Sequence, residues 1–344
     1  MTKLKNALTR RAFVAAGAAG ASALALAGCS GTDGDGADAG SAAGATTKVT
    51  LCLDYTPNTN HTGIYVAEAK GYFADEGLEV EIVQPADDGS EAIIGTGQAE
   101  FGVTYQDYMA NAFVAGNTGL VAVAAVIQHN TSGIMSREED GIVSAKNMEG
   151  HTYGTWDLPV ETATVKRVVE ADGGDFSKVQ TVPLTTDDEV SGLRANLFDC
   201  VWVYEGWAVQ NAAVQDYPVN YFSFIGIDDV FDYYTPVIAA NVEYAEANPE
   251  VVKAFLRAVR KGYEFAVDDP DAAAQILCEA VPELDAELVA QSQRYLAGEY
   301  ISDAESWGVI DGDRWSAFYQ WLNDEGLLEA ELDVDAGWTM DYLS

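Results

Sequence analysis

The residues of this chain best suited to chemistry stand in short clusters, each beginning where an apolar run stops. "DYTPNTNH" puts Asp54, Tyr55, Asn58, Asn60 and His61 within eight residues. "YQDY" supplies Tyr105, Gln106, Asp107 and Tyr108, and "QH" supplies Gln128 and His129. "WDLPVE" holds Trp156, Asp157 and Glu161; "YEGW" holds Tyr204, Glu205 and Trp207. Each cluster offers an aromatic, a carboxylate or an amide, and none contains arginine or lysine. A sulfonate, nitrate or phosphate calls for a guanidinium, an ammonium or a helix N-terminus free of competing carboxylates. This set suits instead a flat, weakly basic, nitrogen-rich ring. Aromatics cover its faces, while a carboxylate accepts two N–H bonds from a protonated or amino-substituted edge. An aminopyrimidine fits that description. Core packing explains Tyr55, Tyr105 or Trp202 taken singly; it explains the set less well, because acids and amides stand beside the rings where a core is dry.

The clusters need elements that bring them together. Strand-like and helix-like segments alternate from residue 48 onward, which argues an α/β fold with largely parallel sheets. KVTLCLDY, LEVEIVQP, AEFGVTY and VAVAAVIQ read as strands, with HTGIYVAEAK, ended by Gly71, and SEAIIGTG as helices between them. A second series follows: strands HTYGTW, VQTVPLT and FDCVWVYEGW, with helices ETATVKRVVEADG and DDEVSGLRAN. GTGQAEFGVTY and LRANLFDCVWVYEG echo one another, so two similarly built lobes are expected. In open parallel sheets the ligand crevice lies outside the carboxyl ends of the strands, where every cluster named above falls. The C-terminal part is helical. In NPEVVKAFLRAVRKGYEFAV, Asn248 stands as N-cap and Pro249 at the first helical position. With no third sheet to cover, these helices are expected to pack back on the first lobe. The expected organisation is lobe 1 from 48–130 and 235–344, and lobe 2 from 131–234.

The chain opens with a basic start, an Ala/Gly-rich apolar run and a small-residue end, the pattern of an export signal over residues 1–28. Thr9–Val14 resembles a twin-arginine signal, and Leu26-Ala27-Gly28-Cys29 a bacterial lipobox with Cys29 the lipidated residue. Residues 29–47 read as a flexible Gly/Ala/Ser/Asp tether. The expectation is a lipid-anchored monomer outside the bacterial cytoplasmic membrane, on its outer face. Removing residues 1–28 takes Lys3, Lys5, Arg10 and Arg11 and no acid, so 18 basic residues become 14 against 55 acidic, and the formal charge moves from -37 to -41. A surface so acidic argues against nucleic acid and anionic lipid as partners of the folded part. Cys52, Cys200 and Cys278 lie far apart in apolar contexts, with no Cys-x-x-Cys pair and no His-Glu-x-x-His helix, so no metal or redox site is expected.

"DYTPNTNHTGIYVAEAKGYF" closely resembles the Asp-Trp-Thr-Pro-Asn-Thr-Asn-His-Thr-Gly motif of the thiamine-pyrimidine-precursor group within the NMT1/THI5-like family. Similarity continues through "GTGQAEFGVTYQD", "YGTWDLPVETATVK", "VYEGWAVQ" and "NPEVVKAFLRAVRKGYEFAVDDP". The resemblance implies a type II periplasmic-binding-protein fold, two α/β lobes with a hinge and a ligand cleft between them. It also implies a solute-binding role beside an ABC permease and ATPase. It places a pyrimidine site at Asp54, Tyr55, Asn58, Asn60, His61, Tyr105 and Asp107 on one lobe, faced by Trp156, Glu161, Tyr204, Glu205 and Trp207 on the other. Glu205 is the first choice for the ring's N–H edge, with Asp54 or Asp107 next. Tyr55 and Tyr204 stand where relatives usually carry Trp, which keeps a stacking face and leaves another flat heteroaromatic, such as a flavin, as an alternative.

The same family contains an enzyme branch that makes the thiamine pyrimidine, consuming a histidine of its own and holding pyridoxal phosphate on a lysine. His61 matches that histidine's place. Thr56 stands where the enzyme branch has its lysine, and FDYYTPVIAANVEYAEANPE holds no cysteine where that branch has a cysteine-rich run. Without a lysine amine there is no Schiff base to the cofactor. The expectation is therefore a binder without cofactor, with His61 either bonding within the site or stitching the turn after the first strand.

Overall fold

The structure is a computed structural model that describes residues 46–85, 89–186 and 188–343. The signal, Cys29 and residues 29–45 of the tether lie outside the described residues.

The first sheet begins with β1 (Thr47–Cys52), followed by α1 (Thr62–Ala69), α2 (Tyr72–Asp75) and β2 (Leu78–Val83). After α3 (Gly89–Gly95), β3 (Phe101–Thr104), α4 (Gln106–Val114) and β4 (Leu120–Ala125), the chain crosses to the second sheet. There it makes β5 (Ser132–Arg137), β6 (Thr152–Thr155), α5 (Pro159–Ala171), β7 (Gln180–Pro183), α6 (Glu189–Arg194) and β8 (Cys200–Tyr204). A π-helical turn (Glu205–Val209), α7 (Gln210–Val214) and β9 (Val219–Ser223) complete that part. The chain then returns through β10 (Val237–Asn241) to α8 (Val242–Ala247), α9 (Pro249–Asp268), α10 (Pro270–Ala280), α11 (Ala286–Glu299) and α12 (Gly312–Asp324).

Strand order is β2-β1-β3-β10-β4 in one sheet and β7-β6-β8-β5-β9 in the other. The echo between the two series has a structural counterpart, since β3 and β8 each take the central place. In both sheets the first three strands run parallel, and the fourth runs antiparallel to its neighbours. That antiparallel strand is in each case the one made directly after a crossing, β5 going out and β10 coming back. The sheets are thus mixed, a correction to the largely parallel sheets expected. Strands β5, β9 and β10 lie outside the segments expected as strands from the sequence.

The first core sits under α9, whose Val252, Phe255, Val259 and Tyr263 meet Leu51, Phe101 and Ile238 of the sheet. Phe101 and Phe255 stack with ring centres 3.9 Å apart. The approach of α9 to α1 depends on two glycines, because a Cβ on Gly262 would stand 1.9 Å from the Gly63 carbonyl oxygen. Gly71 does take the left-handed conformation that ends α1. Pro249 opens α9, but Asn248 gives it no side-chain cap and donates instead to the Tyr244 carbonyl oxygen. Of the C-terminal helices, α9 and α10 pack on α1 as expected; α11 and α12 also reach residues of the second sheet's part. Phe318 of α12 stacks on Tyr233 and Trp321 meets Phe231 edge-on, which ties α12 to the returning crossing. Cys52, Cys200 and Cys278 are free thiols.

Candidate functional site

The turn after β1 is built by its own side chains. Asn58 caps the 3-10 turn Thr59–His61: its Oδ1 accepts the Asn60 N–H, and its own N–H donates to His61 Nδ1 at 3.1 Å. With Nδ1 accepting, the proton of the neutral imidazole is on Nε2, which donates to Asp54 Oδ1 at 2.5 Å. The Tyr105 hydroxyl donates to the other oxygen of Asp54. Burial opposes charge on Asp54, but the hydrogen bonds from His61 and Tyr105 and from its own backbone N–H hold the carboxyl below its ordinary range. From outside, Tyr263 and Tyr300 donate to the carbonyl oxygens of Asn60 and Thr59. Asn58 and His61 therefore spend their side-chain groups on the turn, and Tyr55 is carried out into the solvent on its rim.

The second cluster opens α4. Gln106 is buried and structural, accepting the Tyr234 N–H and donating to the Trp315 carbonyl oxygen. Asp107 stands at the second position of the helix, its carboxylate held by the backbone N–H groups of Asp107 and Tyr108. Burial pushes it up to about 7, those two N–H groups oppose the shift, and Glu91 adds a little to it. Tyr105 and Tyr108 meet edge to face at 5.1 Å.

On the second sheet, Glu161 is buried and accepts from the hydroxyls of Tyr153 and Thr155 and from the backbone N–H groups of Trp156 and Leu158. Its lone pairs are spent on holding the turn that carries Trp156, where Asp157 has a φ of 61°. Tyr204 closes β8. Its hydroxyl is raised by burial and then by the charge of Asp107, followed at lower weight by Tyr108 and Asp54. The first lobe's acids and the end of β8 thus face one another, although 39 % of Tyr204 is open to the cleft.

Glu205 starts the π-turn and points another way. Its Oε2 accepts the Tyr295 hydroxyl of α11 at 3.0 Å, and burial raises its carboxyl while Tyr295 opposes. Trp207 lies half-buried within the same turn. Gly206 lets the turn approach α11, since a Cβ there would meet Leu296 at 2.9 Å. At the outgoing crossing Gln128 donates to the Val309 carbonyl oxygen, and both nitrogens of His129 face carboxylates, Asp232 at 2.8 Å and Asp303 at 3.0 Å.

The structure thus brings Asp54, Tyr105, Asp107, Tyr108 and Tyr204 together, and leaves Glu205 with Tyr295. Tyr55, Tyr108, Trp156 and Tyr204 are 60 %, 46 %, 45 % and 39 % exposed, unusual for rings of this size. Sequence reading missed Tyr233, whose hydroxyl is raised by burial and then by Asp107; its signal is the aromatic run FDYY just before the return to the first sheet. It also missed Tyr295, which sits mid-helix without a local mark. Two concavities of about 680 and 430 Å³ lie elsewhere, over Lys48, Glu79 and Glu100 and beside Phe113 and Leu332, and none of the candidate residues lines them.

The model of the family described as NMT1/THI5 like matches residues 58–273. The chain belongs to the NMT1/THI5-like family. It is 28% identical over 292 residues to a formylaminopyrimidine-binding protein of Halalkalibacterium halodurans, covering 83% of this chain and 87% of that one. It is 22% identical over 298 residues to a 4-amino-5-hydroxymethyl-2-methylpyrimidine phosphate synthase of Saccharomyces cerevisiae, covering 78% and 82%. This NMT1/THI5-like chain has the type II periplasmic-binding-protein fold. The periplasmic aliphatic sulphonate binding protein SsuA of Escherichia coli superposes with a TM-score of 0.68 at 16% identity, over 83% of this chain and 90% of that one. The periplasmic nitrate-binding protein NrtA of Synechocystis PCC 6803 does so with 0.64 at 16%, over 86% and 87%. The binding proteins of known structure share this chain's fold, and a binding protein and a synthase are similar to it in sequence.

Proposed function

We propose that this protein is the substrate-binding component of an ABC importer and takes a thiamine pyrimidine precursor, a hydroxymethyl- or formylaminomethyl-aminopyrimidine. The observation that carries the reading is the meeting of Asp54, Tyr105, Asp107 and Tyr108 with Tyr204 across the cleft, beside exposed Tyr55 and Trp156 and with no lysine or arginine in the set. Such a cleft stacks a flat ring and takes up its N–H edge. The formylaminopyrimidine-binding relative supports the same ligand class.

In this reading lobe 1 comprises 48–130 and 235–344 and lobe 2 comprises 131–234. The lobes sample closure, and contacts made by both favour the closed form that a permease receives. Cys29 carries a lipid that holds the domain at the outer face of the cytoplasmic membrane. Tyr55, Trp156 and Tyr204 stack, while Asp54, Asn58, Asn60, His61 and Glu161 hold the walls in place. Against a synthase, Thr56 offers no amine for a Schiff base, and both ring nitrogens of His61 are engaged within the protein.

The test is a thermal-shift panel of thiamine pyrimidine precursors, thiamine, riboflavin, an alkanesulfonate and pyridoxal phosphate. A ligand at about 100 times its dissociation constant stabilises by ~2.7 kcal/mol. Selective stabilisation by the pyrimidines is expected. Stabilisation by riboflavin or the sulfonate alone overturns the ligand assignment, and stabilisation by pyridoxal phosphate reopens the enzyme reading.

A further inference from the structure

Helix α11 lies between two of the turns that carry the candidate site. Toward the turn after β1, the Ser292 hydroxyl receives the Thr59 hydroxyl at 2.6 Å. Toward the turn after β8, Gln291 Nε2 donates to Gln210 Oε1 at 3.2 Å, Ser292 Oγ to the Gly206 carbonyl oxygen, and the Tyr295 hydroxyl to Glu205 Oε2 at 3.0 Å. Residues 291, 292 and 295 share one face of the helix, so α11 lies along the π-turn as a continuous edge. Leu296 completes that edge against Gly206, where a Cβ would stand 2.9 Å from it.

The carboxylates of the site differ in how fully they are engaged. Both oxygens of Asp54 and both of Glu161 accept hydrogen bonds from side chains. Glu205 is fixed at three points: its N–H donates to the Thr131 carbonyl oxygen at 2.9 Å, its own carbonyl oxygen accepts from Gln210 Nε2 at 3.2 Å, and Oε2 accepts from Tyr295. Its Oε1 is left open among the described residues. Asp107 also lacks a side-chain donor there, but its bonds come from its own helix end, whereas Glu205 is held by a residue 90 positions away. The titratable groups facing Glu205 are Tyr295 and Glu299 of α11 and Tyr221 of β9, with His129 and Asp232 beyond Glu299. A carboxylate tied by one oxygen presents the other in a fixed direction, so a donor meets it with little further loss of rotamer freedom.

We propose that Tyr295 is a positioning residue for ligand recognition: by holding Glu205 Oε2 from α11, it aims Oε1 at an amino N–H of the bound ring. The inference rests on the proposed function and adds the residue that sets the acid. Glu205 follows the last strand end of the second sheet's parallel run, beside Tyr204, while Tyr295 stands on a helix made after the chain has returned to the first sheet. The acid is therefore aimed only while the two parts stay together, which ties recognition to their approach.

The same hydroxyl also favours the ionised carboxylate. Burial raises Glu205, and the Tyr295 hydrogen bond opposes that rise. An amino N–H needs an ionised acceptor, so affinity falls as pH drops through the value Glu205 has in the free protein. Without the hydroxyl that value is higher, and the fall begins at a higher pH. Protonation of the ring itself acts on both proteins alike, so the ratio of their affinities isolates Glu205. That ratio widens toward acid and levels off once both carboxyls are protonated.

The experiment is calorimetric titration with 4-amino-5-hydroxymethyl-2-methylpyrimidine between pH 5 and 8, on the unaltered protein, Tyr295→Phe, Glu205→Gln and the double variant. Tyr295→Phe is expected to bind about tenfold more weakly at pH 7, with an unchanged melting transition and a gap that widens toward pH 5. In the Glu205→Gln background the effect of Tyr295→Phe is expected to be smaller and independent of pH. Equal affinities with and without the hydroxyl overturn the inference, as does a loss that is the same at every pH and is matched by a lower melting temperature. So does a widening gap that persists in the Glu205→Gln background. Each of these leaves the proposed function standing, whereas absence of pyrimidine binding by the unaltered protein at every pH overturns both.

Discussion

His61 Nε2 lies 2.5 Å from Asp54 Oδ1, and both side chains are shut away from water, 0 % and 2 % exposed. His61 joins two parts of the turn after β1. It accepts the Asn58 N–H on one side and donates to a buried carboxylate on the other, so it fixes the loop from which Tyr55 projects.

Replacing His61 by Ala strips a buried carboxylate of its main partner, a change that costs about 3 kcal/mol. Urea denaturation at neutral pH measures it. Because Asp54 is held below the ordinary carboxylate range in the folded state, its contribution to stability is complete above ~4 and is lost as pH falls through its folded value. Asp54→Asn is expected to remove that part of the acid limb.

Gly262→Ala drives a methyl group into the Gly63 backbone and forces α9 off α1. Overpacking against a backbone with no room to yield costs about 3 kcal/mol. Tyr263 travels with α9 and donates to the Asn60 carbonyl oxygen, so ligand affinity is expected to fall together with the melting temperature.

Ser292 links both sides of the cleft. Its hydroxyl donates to the Gly206 carbonyl oxygen, and since it has one proton, the Thr59 hydroxyl must donate to it, at 2.6 Å. Ser292→Ala removes both bonds, roughly 1 kcal/mol each. Small-angle scattering should show a larger ligand-free radius of gyration, with weaker ligand binding.

His129 sits at the outgoing crossing between Asp232 and Asp303, with Arg314 and Glu299 also close. Burial lowers its basicity, but the two carboxylates outweigh burial and raise it. A raised histidine stabilises the fold fully below its unfolded value near ~6.5, and the contribution is lost as pH rises through the folded value. Melting temperature is expected to fall from pH 6 toward pH 8, and His129→Gln to flatten that part of the profile.

Much of the architecture was legible because β1, β3 and β8 carry apolar residues and, like β6, lead into helical segments. β5 was hidden for a physical reason. SGIMSR is polar in composition yet buried throughout, because Arg137 is neutralised by Asp140 and Asp199 and donates to the carbonyl oxygens of Leu193 and Phe198. Asp140 is a local partner, but Leu193, Phe198 and Asp199, 56, 61 and 62 residues away, leave no local pattern. The site was legible as a list and not as an arrangement. The π-turn after β8 reorients Glu205 toward α11, while the N-terminus of α4, unread in the sequence, presents Asp107 with no side-chain donor.

The measurement closest to the central claim is direct calorimetric titration of the protein with a thiamine pyrimidine precursor at neutral pH, beside Trp156→Ala, whose side chain stands 45 % exposed on the second lobe. The account predicts saturable binding of one pyrimidine per chain, weakened at least tenfold by the substitution while the melting transition stays intact. Heat indistinguishable from dilution, or equal affinity in the two proteins, would contradict it.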